Sequence, residues 1–104
     1  MPIEKLFIPE QRTLCVKLTG DIDHHQAAGY REQLDRLLDE FMPAKMVIDL
    51  SAVDFMDSSG LGLVLGRYRI QQARGGSLEV KNPAPRIKQI LAMAGVDRYV
   101  KITG

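Results

Sequence analysis

The chain reads as a single α/β domain, residues 1–104, built on a mixed and mostly parallel sheet of about five strands, the first of them antiparallel, with three or more helices. Three observations predict this. Short apolar, strand-like runs alternate with stretches of helical periodicity, the pattern of strand–helix–strand units. The chain opens on two such runs separated only by Pro9-Glu10-Gln11-Arg12, a hairpin signal. Its most continuous apolar run, Met46-Val47-Ile48-Asp49-Leu50, leads through a short loop into a helix start rich in serine and glycine.

In order, Leu6 to Ile8 and Leu14 to Leu18 are the two strands of the hairpin, and Gly20 ends the second. Asp23 is suited to cap the next helix, with Gln26 three residues on as in a capping box. That helix, 24–41, gathers Ala27, Tyr30, Leu34, Leu37, Leu38 and Phe41 on one apolar face, and Pro43 stops it. The unbroken run 46–50 is expected of a strand covered on both faces. A helix from about Ser59 to Arg74 is expected to bury Leu61, Val64, Leu65 and Tyr68 and to end at Gly75-Gly76. Leu78 to Val80 is a short strand. A third helix starting around 83–85 buries Ile87, Ile90, Leu91 and Ala94 and stops at Gly95, and Tyr99 to Ile102 is the last strand.

If strand 14–18, helix 24–41 and strand 46–50 form a right-handed crossover, the two strands run parallel and their C-terminal ends share one edge of the sheet. That edge is expected to gather Gly20 to His25, Asp54 to Ser59, and Asn82-Pro83. Ligand and partner sites on α/β sheets favour it.

Composition narrows the function. The formal net charge is +1, with no basic run or aromatic–basic interleaving to track a phosphate backbone, so direct nucleic-acid binding is not expected. No signal peptide and no apolar run near the ~20 residues of a membrane span is present, so no membrane association is expected. The single cysteine, Cys15, lies between Leu14 and Val16, reads as a buried structural thiol, and fits a reducing cytoplasm.

The densest information lies in Phe55-Met-Asp-Ser-Ser-Gly-Leu-Gly-Leu-Val-Leu-Gly-Arg67. Ser58 and Ser59 fall in the first turn of a helix, where a hydroxyl can cap free N–H groups. A phosphate placed there would lie beside those N–H groups and the positive end of the macrodipole. Read without context, an Asp-Ser pair here is a helix cap. Asp57 itself suits capping, and Asp49 is expected to hydrogen-bond, since an unpaired carboxylate is costly if buried. Gly60, Gly62 and Gly66 each cost about 1 kcal/mol relative to alanine in a helix. Close packing on the sheet and close approach of a partner both offset that cost, the first for Gly62 and Gly66 as readily as the second, the second favoured for Gly60. His24 and His25 point about 100° apart on a helix, which does not suit one metal ion, and no further ligand completes a site. They read as a solvated pair or as a partner contact. Arg67 reads equally as a solvated cation or a contact to a partner carboxylate.

Three stretches together resemble the anti-sigma factor antagonists, the anti-anti-sigma branch of the STAS domain family. They are Leu18-Thr-Gly-Asp-Ile-Asp-His-His25, Phe55 to Tyr68 and, more loosely, Asn82 to Gly95, within a likeness running from about Thr13 to Ile102. The paired histidines after Gly-Asp-Ile-Asp point to the sporulation anti-sigma F branch over its general stress-response relatives. The resemblance implies a phosphorylation switch with Ser58 as phosphoacceptor, a distinction from Ser59 that residue chemistry alone barely makes. It implies as partners an anti-sigma factor that is also a serine kinase and supplies the ATP, and a serine phosphatase that resets the cycle. The surface expected to meet the partner comprises Asp21, Asp23, His24, Met56, Asp57, Ser59, Gly60, Leu61 and Arg67. Family members typically continue into a further helix after the last strand, whereas this sequence reaches Gly104, just past Ile102.

Catalysis has less behind it. Asp57-Ser-Ser-Gly60 lacks the first glycine of a nucleophile elbow, both histidines lack a clear orienting acid, and no phosphate-binding Gly-x-x-x-x-Gly-Lys loop is present. No motif requires a cofactor, and neither an enzyme nor a metal site is expected. A small-molecule or nucleotide-binding STAS regulatory domain is the alternative from another class.

Overall fold

The computed structural model describes residues 3–104. β1 (Ile3–Ile8) and β2 (Thr13–Ile22) form the expected hairpin across a 3-10 turn at Pro9–Gln11. Then follow α1 (His24–Phe41), β3 (Lys45–Met56), α2 (Ser58–Ala73), β4 (Ser77–Lys81), α3 (Pro85–Met93), a second 3-10 turn (Val96–Arg98) and β5 (Lys101–Thr103). The sheet order is β1-β2-β3-β4-β5, with β1 antiparallel to β2 and every other pair parallel. Each crossover steps one strand in the same direction, so right-handed connections put all three helices on one face of the sheet.

That arrangement corrects one expectation. β3 is covered by helices on a single face, where Leu14 and Val16 of β2, Met46, Ile48 and Leu50 of β3, and Leu78 and Val80 of β4 line up in register and are buried. The opposite face carries Cys15, Lys17, Asp49 and Glu79, all half-buried. Val47 on that face is closed off by its flanking register partners Cys15 and Glu79. Cys15 is therefore a half-buried residue of the open face, because alternation along β2 turns it away from Leu14 and Val16.

β2 and β3 are both longer than the sequence pattern indicates. Gly20 does not end β2; it sits within it at φ +95°, a conformation that favours glycine, between two slips of the β2–β3 register. β3 continues past Leu50 to Met56. Its last pairing with β4 is Asp49–Lys81, so beyond that point β2 and β3 form a two-stranded ribbon. At about 3.3 Å per residue the tip of this ribbon lies roughly 20 Å past the end of β4.

α2 buries a stripe other than the expected one: Gly60, Leu63, Val64, Arg67 and Gln71, with Leu61, Leu65 and Tyr68 only partly covered at its margin. The spacing is that of one helix face, but three of its five members are not apolar, which hides it from a hydrophobicity reading. Gln71 is fully buried and its amide donates to Pro43 O and Ser77 O, both at 3.1 Å, tying the strand entries together below α2. In α3, Ile87 and Leu91 are buried and Ile90 is half-buried, and Ala94, its C-cap, is exposed. Gly95 takes the expected left-handed conformation after it, at φ +76°.

Candidate phosphoacceptor and docking site

The ribbon brings the two motif segments together. Asp21 pairs in register with Phe55 and Ile22 with Met56, and the Asp57 amide donates to Ile22 O at 3.3 Å. Both strands then turn directly into helices, so α1 and α2 begin side by side. Each start is capped by an aspartate. Asp23 Oδ1 accepts from the Gln26 amide at 2.9 Å, and Asp57 Oδ1 accepts from the Ser59 amide at 2.8 Å. The loop 21–25 and the serines thus share one surface, as the crossover argument requires.

Asp57, not a serine hydroxyl, is the cap of α2, and the helix begins one residue earlier than expected, at Ser58. Ser58 is exposed in the first turn, and among the described residues its hydroxyl makes no hydrogen bond. Ser59 is half-buried and held through its amide. The two serines, nearly indistinguishable in sequence, are distinct in space: only Ser58 is exposed.

Tyr30 was legible as part of the apolar face of α1, but its polar end was not. Its ring is buried and its hydroxyl donates to Thr19 O, pinning the ribbon where Gly20 bends it. Burial, with the carboxylates of Asp21 and Asp23, pushes the phenol pKa above its ordinary value, so it remains a neutral donor. The signal available beforehand was chemical: a buried tyrosine hydroxyl needs an acceptor.

The predicted docking residues divide. Asp21 and His24 are exposed beside the serines, with Asp23, Asp57 and Ser59 half-buried among them. His24 and His25 lie edge to face, ring centroids 6.0 Å apart. Met56 instead points into the core and packs under Gly60, where an added Cβ would meet Met56 Cγ at 2.3 Å. Gly60 is thus required by packing within the molecule, which replaces the partner-approach reading. Leu61 is half-buried against the core. For Gly62 and Gly66 the packing reading does not hold, because an added Cβ would have no neighbour within 4 Å at either position. Asn82 and Pro83 follow β4 and so lie well back from the ribbon tip, outside the site that the shared-edge argument assigned them to.

Arg67 is neither solvated nor free for a partner. It is 5% exposed, and its Nε lies 3.1 Å from Asp35 Oδ1 of α1. Burial pulls its pKa below the ordinary arginine range, and Asp35 opposes that shift. The pair is close but poorly aligned: Arg67 Nε and Nη1 and Asp35 Oδ1 are buried without a hydrogen-bond partner. The two substitutions at this pair are therefore unequal. Asp35→Ala leaves the buried guanidinium without its counter-charge and, because the Asp35 side chain is 41% exposed, is expected to cost about 1–2 kcal/mol, less than a fully buried pair, whereas Arg67→Met removes the charge, keeps an apolar stem, and is expected to cost less than that. Chemical denaturation of both variants checks the order.

Two features near the serines lie outside the predicted docking residues. Phe55, although in the strand, is 48% exposed at the ribbon tip. A groove of about 360 Å³ runs between the first two turns of α1 and α2, with Arg31 on one wall and Gly62 on the other. Among the described residues neither serine hydroxyl is hydrogen-bonded to a histidine.

Comparison with known proteins agrees with this fold. The family model described as STAS domain matches residues 8–103. An anti-sigma F factor antagonist of Paenibacillus polymyxa is 36% identical over 89 residues, covering 86% of this chain and 76% of its own length. An anti-sigma-B factor antagonist of Bacillus subtilis is 32% identical over 93 residues, covering 89% and 84%. The solved anti-sigma factor antagonist SpoIIAA superposes in its unphosphorylated form with a TM-score of 0.82, at 25% identity, over 99% of this chain and 89% of that one. Its phosphorylated form superposes with a TM-score of 0.74, also at 25% identity, over 99% and 92%.

Proposed function

Because the chain belongs to the STAS domain family and, within it, to the anti-sigma factor antagonists, we propose that it is a protein–protein switch controlled at Ser58. Unphosphorylated, it docks on an anti-sigma factor that is also a serine kinase, and the sigma factor is freed to join RNA polymerase in the cytoplasm. The kinase transfers the γ-phosphoryl group of ATP to Ser58 Oγ; ADP leaves, and a base on the kinase takes the hydroxyl proton. A serine phosphatase later restores the hydroxyl. The observation that carries this reading is the exposed, unbonded Ser58 at the start of a helix whose cap is already provided by Asp57.

The physical basis is charge. Phosphorylation adds about −1.5 to −2 charges in the middle of a docking surface. An interface fitted to a neutral hydroxyl must then either desolvate that charge or separate. The helix N-terminus favours an anion, but here the Asp57 carboxylate already lies against it. In the free protein the dipole favours the phosphate and Asp57 disfavours it, so the two partly offset, and the cost specific to the complex is desolvation of the phosphate at the interface.

The proposal is tested by passing the chain, phosphorylated and unphosphorylated, over immobilised anti-sigma kinase. Only the unphosphorylated form is expected to be retained, and equal retention of both would end the switch reading. Within the same assay His24→Ala is expected to weaken docking about fivefold with the melting temperature unchanged, since the exposed imidazole lies beside the serines and caps nothing. The likeness to the Bacillus subtilis anti-sigma-B antagonist supports a second reading, the same chemistry serving a general stress-response partner.

A further inference from the structure

The groove between α1 and α2 has a composition that the fold does not explain. Gly62 forms part of its wall, is exposed, and has open space where a side chain would stand. Within a helix it costs about 1 kcal/mol relative to alanine, and no contact inside the molecule offsets that cost. Ala28 faces the same space from α1, so both helix surfaces are low and a partner can come close to the backbone. The ionisable groups of the lining are Arg31 and His24, with no carboxylate among them. Arg31 is exposed and, among the described residues, makes no ion pair, because the carboxylate one turn further along α1, Asp35, is engaged by the buried Arg67. Arg67 and Arg31 act on each other as like charges, so the lower end of the groove is positive. Asp23 and Asp57, which cap the two helix starts, keep their charge at the upper end of the groove, so the end that attracts an anion is the one beside Arg31.

We infer that this groove receives an acidic side chain of the anti-sigma kinase, whose carboxylate pairs with Arg31 while the adjoining backbone rests against Ala28 and Gly62. The inference rests on the switch reading above and names where on the partner-facing surface the affinity comes from. Charge complementarity selects the occupant. An exposed cation beside a low apolar floor offers a carboxylate an ion-pair partner, whereas a basic segment meets repulsion and a bulky one finds no depth. The groove adjoins Ser59, so a segment seated there ends within one helical turn of the phosphoacceptor.

The test uses the full chain, unphosphorylated, against the anti-sigma kinases encoded in the same genome, by calorimetric titration at two salt concentrations. Arg31→Glu is expected to weaken binding by on the order of tenfold or more and to flatten its salt dependence, with Arg31→Lys restoring most of the affinity. Gly62→Gln is expected to weaken binding about tenfold while the melting temperature holds or rises, which separates docking from folding. If wild type binds and Arg31→Glu binds equally well, the groove is not the carboxylate site and the switch at Ser58 stands. If wild type binds none of these kinases, the switch reading falls and the groove proposal falls with it.

Discussion

Ser58→Ala is expected to take up no phosphate from an anti-sigma kinase and ATP, while still folding and still binding that kinase. The loss should be complete, because Ser59, the only other hydroxyl in the first turn, is half-buried and held by its amide on Asp57. Stability should change little, within about 0.5 kcal/mol, as expected of an exposed side chain away from any cap. Ser58 is such a residue: its hydroxyl caps nothing, and alanine is a good helix former. The variant would be an antagonist that cannot be switched off. Phosphate incorporation and a thermal melt of the same preparation check both halves; stoichiometric phosphate on Ser59 in this variant would reassign the acceptor.

Ser58→Asp is expected to bind the anti-sigma factor about a hundredfold more weakly, roughly 3 kcal/mol, with a nearly unchanged melting temperature. The reasoning separates two environments. In the free protein the new carboxylate is exposed in the first turn of α2, where the helix dipole favours it and the neighbouring Asp57 disfavours it. In the complex it is desolvated against a surface that evolved around a hydroxyl. A fall in thermal stability large enough to account for the lost binding would place the defect in folding. Asparagine at the same position is a useful control, since it has similar shape without charge and should retain far more affinity.

The number, kind and order of the elements were legible in the sequence because hydrophobic period marks strands and helices locally. The limits of β2 and β3 were not. Residues 51–56 read as a loop because Ser51 and Asp54 interrupt the apolar run, yet both are exposed residues of a two-stranded ribbon that no longer needs to be covered by a helix. That the helices would all fall on one face follows from the strand order, which no local pattern contains. The stripe of α2 was hidden for a different reason: Gly60, Arg67 and Gln71 are on it, each matched to one long-range neighbour, Met56, Asp35 and the Pro43 and Ser77 carbonyls respectively.

The candidate site shows the same division. Asp23 as a cap and the meeting of the two loops followed from local capping chemistry and crossover handedness. Ser58 came from resemblance, since two adjacent serines at a helix start are chemically alike until the cap is known. The structure distinguishes them through one hydrogen bond, Asp57 Oδ1 to the Ser59 amide. Arg67 and Met56 belong to the same run of motif residues, but both face inward and hold the site from beneath. A motif read as a line mixes the residues that meet a partner with those that hold them in place.

The most direct measurement is to incubate the wild-type chain with ATP and an anti-sigma serine kinase, map the phosphate by peptide mass spectrometry, and titrate the modified protein back onto the kinase. The account predicts a single phosphate on Ser58, an unmodified Ser59, and affinity lowered by about a hundredfold or more in the modified protein. A phosphate elsewhere, or full affinity with Ser58 phosphorylated, would contradict it.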